Sequence, residues 1–209
     1  MKEFSFDEGL SRLQRVIDHM LDKNHTITLG IAGGSASGKS YFARLLCDIY
    51  TGHASHLPLD DYYLDSTHRS SSLGNNYDHP ESFDLSLLAE HLHLLKAGRS
   101  IKKPIYRYTG KREGYELFYP QSLIVLDGLY SLQSSLLPCL DLKIFVEAPE
   151  EMRLERRLHR DIKERGKSSK ITRKRWIETV EPMYKEYVLP QKRDAQLVIL
   201  NSEYKPEAL

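Results

Sequence analysis

An apolar run, ITLGIAG, leads directly into GSASGKSYFARLL. Within it, Gly33 to Ser40 read GGSASGKS and fit the pattern G-x-x-x-x-G-K-[ST]. Such a loop needs a buried strand to deliver the chain and a helix to carry it away. Glycines let backbone N–H groups curl around phosphate oxygens, and the helix N-terminus adds free donors and a favourable dipole. Four fixed positions arise by chance in about one protein of this length in a hundred, and the flanking strand and helix lower that further. Gly33, Gly34, Ser35, Ala36, Ser37, Gly38, Lys39, Ser40 and the following Tyr41 are therefore the candidate nucleotide site. Lys39 can reach the β- and γ-phosphates, and the Ser40 hydroxyl can ligate Mg²⁺.

The rest of the chain has the rhythm such a loop requires. SFDE at Ser5 to Glu8 has capping-box spacing, and Leu10, Leu13, Ile17, Met20 and Leu21 follow at helical spacing, predicting a helix over about 6–23. SHLPLDD reads as a second strand ending in acids, and Asp84 can cap a helix that stops at Gly98. Tyrosines, prolines and glycines over about 100–120 predict a hairpin. SLIVLDG, LKIFVEA and QLVIL read as buried strands, and Glu150–Lys163 and Arg173–Tyr187 as helices. Strands alternating with helices predict an α/β fold with a central parallel sheet flanked by helices. The expected organisation is an N-terminal amphipathic helix (1–25) packed on the core, then one phosphate-loop domain (26–209).

The chain of 209 residues is 40% hydrophobic and 28% charged, which fits a globular domain. No apolar run reaches membrane-span length, and MKEFSFDEGL lacks an apolar signal core, so the expectation is a cytoplasmic protein without a membrane partner. Cys47 and Cys139 are too few for a disulfide framework or zinc site. A net charge of +1 argues against a nucleic-acid partner. Arg153–Arg175 nonetheless holds eleven Lys/Arg against three Asp/Glu, and that cluster needs a purpose.

A magnesium site needs an acid at the end of another buried strand, and LIVLDG supplies Asp127. A phosphoryl acceptor needs a carboxylate near its hydroxyl, and Asp60 and Asp61 are placed to serve at the end of the second strand, expected beside the phosphate loop. No N-K-x-D, no D-x-x-G after the acidic strand and no ABC-type signature is present. The pattern points to phosphoryl transfer to a small molecule rather than to a nucleotide-driven timer.

LPLDDYY, NYDHPESFD, KPIYRY, LIVLDGLY, RRLHRDIKERGK, TVEPMY and LPQKRDAQLVI follow in order around GGSASGKS. Together they resemble the uridine kinase (uridine–cytidine kinase) family, within the wider phosphoribulokinase/uridine kinase superfamily of P-loop kinases, over roughly residues 27 to 200. The resemblance implies ATP and Mg²⁺ as cofactors and a nucleoside or related hydroxyl compound as substrate. It puts Asp60 at the general base, Tyr63 and Tyr106 against the nucleoside, and Asp78 with Arg157 on the ribose hydroxyls. It makes Asp127 the magnesium acid, where the family has glutamate, and puts Arg160, Arg165 and Lys167 in a basic lid (about 157–170) over the phosphates. That lid accounts for the basic cluster.

Two positions depart from the family. Lys111 falls near a histidine that reads the pyrimidine edge, and Arg175 replaces a glutamine that helps hold the base. Cations only donate and attract negative charge. The sequence therefore keeps open an anionic riboside, sugar phosphate or pantothenate as acceptor, and a non-catalytic nucleotide-binding module as a different class. It is compatible with a homo-oligomer.

Overall fold

The structure, a computed structural model, describes residues 2–22, 26–67, 71–74, 76–107 and 111–202. In chain order, its main elements are β1 (Lys2–Ser5), α1 (Phe6–Leu21), β2 (Ile27–Gly33), α2 (Lys39–Ile49), β3 (Ala54–Pro58), α3 (Leu85–Lys96), β4 (Ile101–Tyr106), β5 (Arg112–Phe118), β6 (Leu123–Asp127), β7 (Leu142–Glu147), α4 (Glu150–Lys163), α5 (Ser169–Arg175), α6 (Glu181–Met183) and β8 (Leu197–Leu200). Among the described residues, six strands form one parallel sheet in the order β1-β8-β7-β2-β6-β3, and β4 and β5 form the separate antiparallel hairpin.

The inner strands are apolar at consecutive positions because helices cover both faces of the sheet. Alternation then sorts their side chains into two cores. Leu123, Val125, Ile31, Ile144 and Ile199 pack under α1 and α2. Ile124, Leu126, Leu57, Phe145 and Val198 face the other way, toward Leu88, Leu92 and Leu95 of α3.

The N-terminal segment does more than form a helix. Lys2–Ser5 add an edge strand, unforeseen in the sequence, that pairs in parallel with β8. Leu13 and Ile17 of α1 are buried in the sheet core, and Phe6 meets Phe42 edge-on with ring centroids 5.1 Å apart. A Cβ at Gly9 would lie 2.9 Å from Ile199, so this glycine permits close approach of helix to sheet. The expected capping box closes on itself: the Ser5 hydroxyl donates to Glu8 (3.2 Å), and its side chain caps no backbone N–H.

Two boundaries and one strand pairing differ from the sequence reading. β3 stops at Pro58, which lacks an N–H, and Asp60 and Asp61 lie on a following 3₁₀ turn, Leu59–Tyr62. β3 pairs with β6 rather than with β2, so the strand carrying Asp127 separates it from the phosphate-loop strand. The last helical region starts at Ser169, where the Ser168 hydroxyl accepts from the Ile171 N–H (3.3 Å), and includes π turns at Trp176–Val180 and Tyr184–Val188.

Ile17 is fully buried where α1 meets the sheet. Ile17→Ala should cost about 2–5 kcal/mol, the usual penalty for emptying such a site, and leave turnover at low temperature intact. Thermal denaturation and an activity assay check this; an unchanged melting temperature would show that α1 contributes no stability.

Candidate active site

β6 runs beside β2 with Asp127 level with Ile31, two residues before Gly33 opens the phosphate loop. Two glycines of the loop are sterically required. A Cβ at Gly33 would strike the Val146 carbonyl, and Gly38 has φ of +98° with the Asn201 amide against it. Asn201 Nδ2 donates to the Ser37 carbonyl (2.8 Å), and Arg156 donates to the Asn201 carbonyl (3.3 Å), so the end of β8 backs the loop. Tyr41, the last expected loop residue, is 42% exposed and turns its ring toward Phe6 on α1.

Lys39 donates to the Gly34 carbonyl (3.3 Å). Burial of its ammonium lowers its pKa; Asp127 and Asp60 oppose this, while Arg160 and Arg157 add to it. The loop lysine therefore has two acids and two arginines of the helix Glu150–Lys163 as charged neighbours. The Ser40 hydroxyl donates to Asp127 Oδ2 (2.6 Å), and His56 Nε2 lies 2.5 Å from Asp127 Oδ1. Burial pushes the Asp127 carboxyl up, but His56, Ser40 and Lys39 outweigh it and hold it below the usual range. One carboxylate and one hydroxyl beside a phosphate loop suit Mg²⁺, a hard cation that keeps water and phosphate oxygens as its other ligands. Among the described residues no cluster of three or more His, Cys, Asp or Glu could hold a metal, so a cation here would draw those remaining ligands from phosphate and water.

The two acids of the 3₁₀ turn are not equivalent. Asp61 is ion-paired with Lys103 of β4, which is 5% exposed and also meets Glu116 (2.9 Å). Asp61 thus ties the turn to the hairpin. Asp60 is half-buried and close enough to Lys39 to support its charge.

Asp78 faces several donors. Its Oδ1 is 3.7 Å from Arg157, its Oδ2 accepts from the Thr179 hydroxyl (3.3 Å), and its carbonyl accepts from Tyr130. Arg157 also donates to Ser35 Oγ of the loop (2.8 Å), so one guanidinium joins Asp78 to the phosphate loop. Tyr63 and Tyr106 are buried and stack on each other at 4.9 Å, with Phe83 4.1 Å behind Tyr63. A base slotted between these two rings would have to part them. Arg175 ends α5, and its backbone carbonyl accepts from the Thr179 hydroxyl (3.0 Å) one turn later. Lys111 is exposed just before β5; residues 108–110 lie outside the described residues.

The basic cluster is organised around one acid. Asp161 of α4 is fully buried, with Arg160 (3.2 Å), Arg165 (3.6 Å), Arg157 and Lys167 (both 3.7 Å) around its carboxylate. Burial raises its pKa, but these four cations outweigh that and leave it lowered. Arg157 and Arg160 thus lie on α4 itself, and only 164–168 form the turn of the expected lid. An open cavity of about 460 Å³, lined by Glu147, Arg153, Glu181, Tyr184 and Asn201 among others, lies at the ends of β7 and β8 beside the loop.

Asp161, His56, Thr179 and Lys103 escaped the sequence reading. Asp161 left a trace, being the one acid four residues from both Arg157 and Arg165. The other three act through contacts across the fold and have no local signature.

A parallel sheet with this phosphate loop, its strand-end acid and a basic lid defines a P-loop kinase. Residues 28–204 match the Phosphoribulokinase / Uridine kinase family, and the chain belongs to it. A uridine kinase from Bacillus cytotoxicus is 38% identical over 182 residues, covering 84% of this chain and 86% of that protein. The fold is also that of D-glycerate 3-kinase from Cryptococcus neoformans (TM-score 0.64, 14% identity, 88% and 89% of the two chains covered). Phosphoribulokinase from Rhodobacter spheroides shares it as well (TM-score 0.62, 16% identity, 84% and 70% covered).

Asp161→Asn should cost about 3–5 kcal/mol, because it leaves cations gathered around a neutral amide. The sign follows from the lowered folded pKa. The carboxylate stabilises fully above its ordinary value of 3.8 and loses that contribution as pH falls through the lower folded value. The gap in melting temperature between wild type and variant should be constant near neutrality and shrink below about pH 4. A gap that does not change with pH would remove the ion cluster from the stability account.

Proposed function

We propose that the protein transfers the γ-phosphoryl group of ATP to the 5′-hydroxyl of a ribonucleoside, with Mg²⁺. The observation that carries this reading is the Ser35–Arg157–Asp78 link. It puts a carboxylate suited to vicinal hydroxyls within one guanidinium of the phosphate loop. The uridine kinase relative supports the acceptor class.

In this reading Asp60, which the resemblance sets at the general base and which lies near Lys39, accepts the proton of the acceptor hydroxyl, while Asp61 ties the turn to the hairpin through Lys103. Lys39 and the loop N–H groups hold the β- and γ-phosphates. Ser40 and Asp127 would hold Mg²⁺, which would offset phosphate charge when bound. Arg160 and Arg165, gathered by Asp161, supply positive charge already in place for the charge that develops on the phosphoryl oxygens. The 460 Å³ cavity is of ligand size and takes the donor nucleoside.

A second reading keeps this chemistry but gives the acceptor a negative charge. Arg175, one turn from the Thr179–Asp78 contact, favours it. A kcat/KM panel of uridine, cytidine, orotidine and purine nucleosides separates the two readings: a neutral pyrimidine nucleoside leading supports the first, and orotidine leading supports the second. On the best acceptor, Asp60→Asn should lower kcat by about a hundredfold or more with ADP binding unchanged. Loss of activity in Asp61→Asn but not in Asp60→Asn would overturn the base assignment.

A further inference from the structure

We infer that His56 is a positioning residue for the cation site, acting through Asp127; this rests on the reading of Ser40 and Asp127 as that site. His56 lies on β3, in register with Val125 of β6. Paired positions share a face of a sheet, and so do positions two apart along a strand. His56 and Asp127 therefore point to the same side of the sheet, one step apart diagonally. Their contact of 2.5 Å follows from that register.

The chemistry of the contact is directional. An ionised carboxylate only accepts, so His56 Nε2 carries the proton and donates to Oδ1. Ser40, from the first turn of α2, donates to the other oxygen at 2.6 Å. Asp127 is 4% exposed, so water cannot replace either donor freely. The result is a chain of contacts from β3 through β6 to α2: His56 to Oδ1, then Oδ2 to the Ser40 hydroxyl. With both oxygens engaged, the carboxylate plane cannot rotate about its Cβ–Cγ bond. The orientation of Oδ2, and of the serine it holds, is thereby fixed.

Asp127 stands where the resemblance puts a glutamate. A side chain one methylene shorter reaches less far and depends more on correct aim. An outer-shell donor that aims a ligand is worth about 10–100-fold in metal affinity. A donor that only neutralised a buried acid would instead affect stability and leave cation affinity alone.

The experiment titrates Mn²⁺ into the protein with ADP, without acceptor or turnover, and follows free Mn²⁺ by its spin resonance signal. Four forms are compared: wild type, His56→Leu, His56→Gln and Asp127→Asn. Leucine keeps the packing volume, and glutamine retains an N–H donor. Asp127→Asn tests the underlying site: unchanged Mn²⁺ affinity in that variant would sink the site reading itself. With Asp127→Asn weakened, His56→Leu should raise the Mn²⁺ Kd about tenfold or more, and His56→Gln should recover most of the loss. Wild-type Mn²⁺ affinity in His56→Leu overturns the inference, whatever its melting temperature. If His56→Leu does not fold, His56→Phe, which keeps a ring and removes the donor, decides in its place: a Mn²⁺ Kd raised about tenfold or more supports the inference, and wild-type affinity overturns it.

Discussion

Asp127 sits level with Ile31 because β6 pairs with β2, and that register assembles the site. It sets a carboxylate within 2.6 Å of the serine that opens α2, next to the lysine of the same turn. The other parts arrive by separate routes: Asp60 from the turn after β3, Arg157 and Arg160 from α4, Asn201 from the end of β8. All lie at the C-terminal ends of parallel strands, where a sheet covered by helices leaves its open edge. A slip of β6 against β2 would bury the wrong residues on both faces and move the acid off the loop at once.

The basic cluster shows how like charges are held together. Four like charges in one place repel, and no amount of solvent-facing helix would hold them together. Asp161 gathers them by being buried. Arg157 is shared most widely, touching Asp161, Asp78 and Ser35. One guanidinium therefore links the buried acid, Asp78 and the phosphate loop.

Much of this was legible in the sequence, and for local reasons. The loop is a contiguous motif, the buried strands are contiguous apolar runs, and Asp84 and Gly98 mark the ends of α3 by capping chemistry that works within a turn. The missed features depend on pairing. KEFS is too short and too polar to read as a strand, and only the free edge of β8 makes it one. The order of β3 and β6 is set by crossovers rather than by pattern, so Asp60 was expected one strand too close to the loop. Tyr63 and Tyr106, which the resemblance sets against a nucleoside, pack on each other at 4.9 Å, a contact between distant segments that no local pattern announces. His56 and Lys103 would pass as ordinary strand residues until Asp127 and Asp61 appear beside them.

The proposed transfer of a phosphoryl group to a nucleoside hydroxyl is tested most directly by the ³¹P spectrum of the products when the protein is given ATP, Mg²⁺ and the best acceptor nucleoside. The expected product is a monophosphate ester on the 5′-oxygen, formed in step with ADP. Appearance of inorganic phosphate with ADP, with the nucleoside left unmodified, would contradict it.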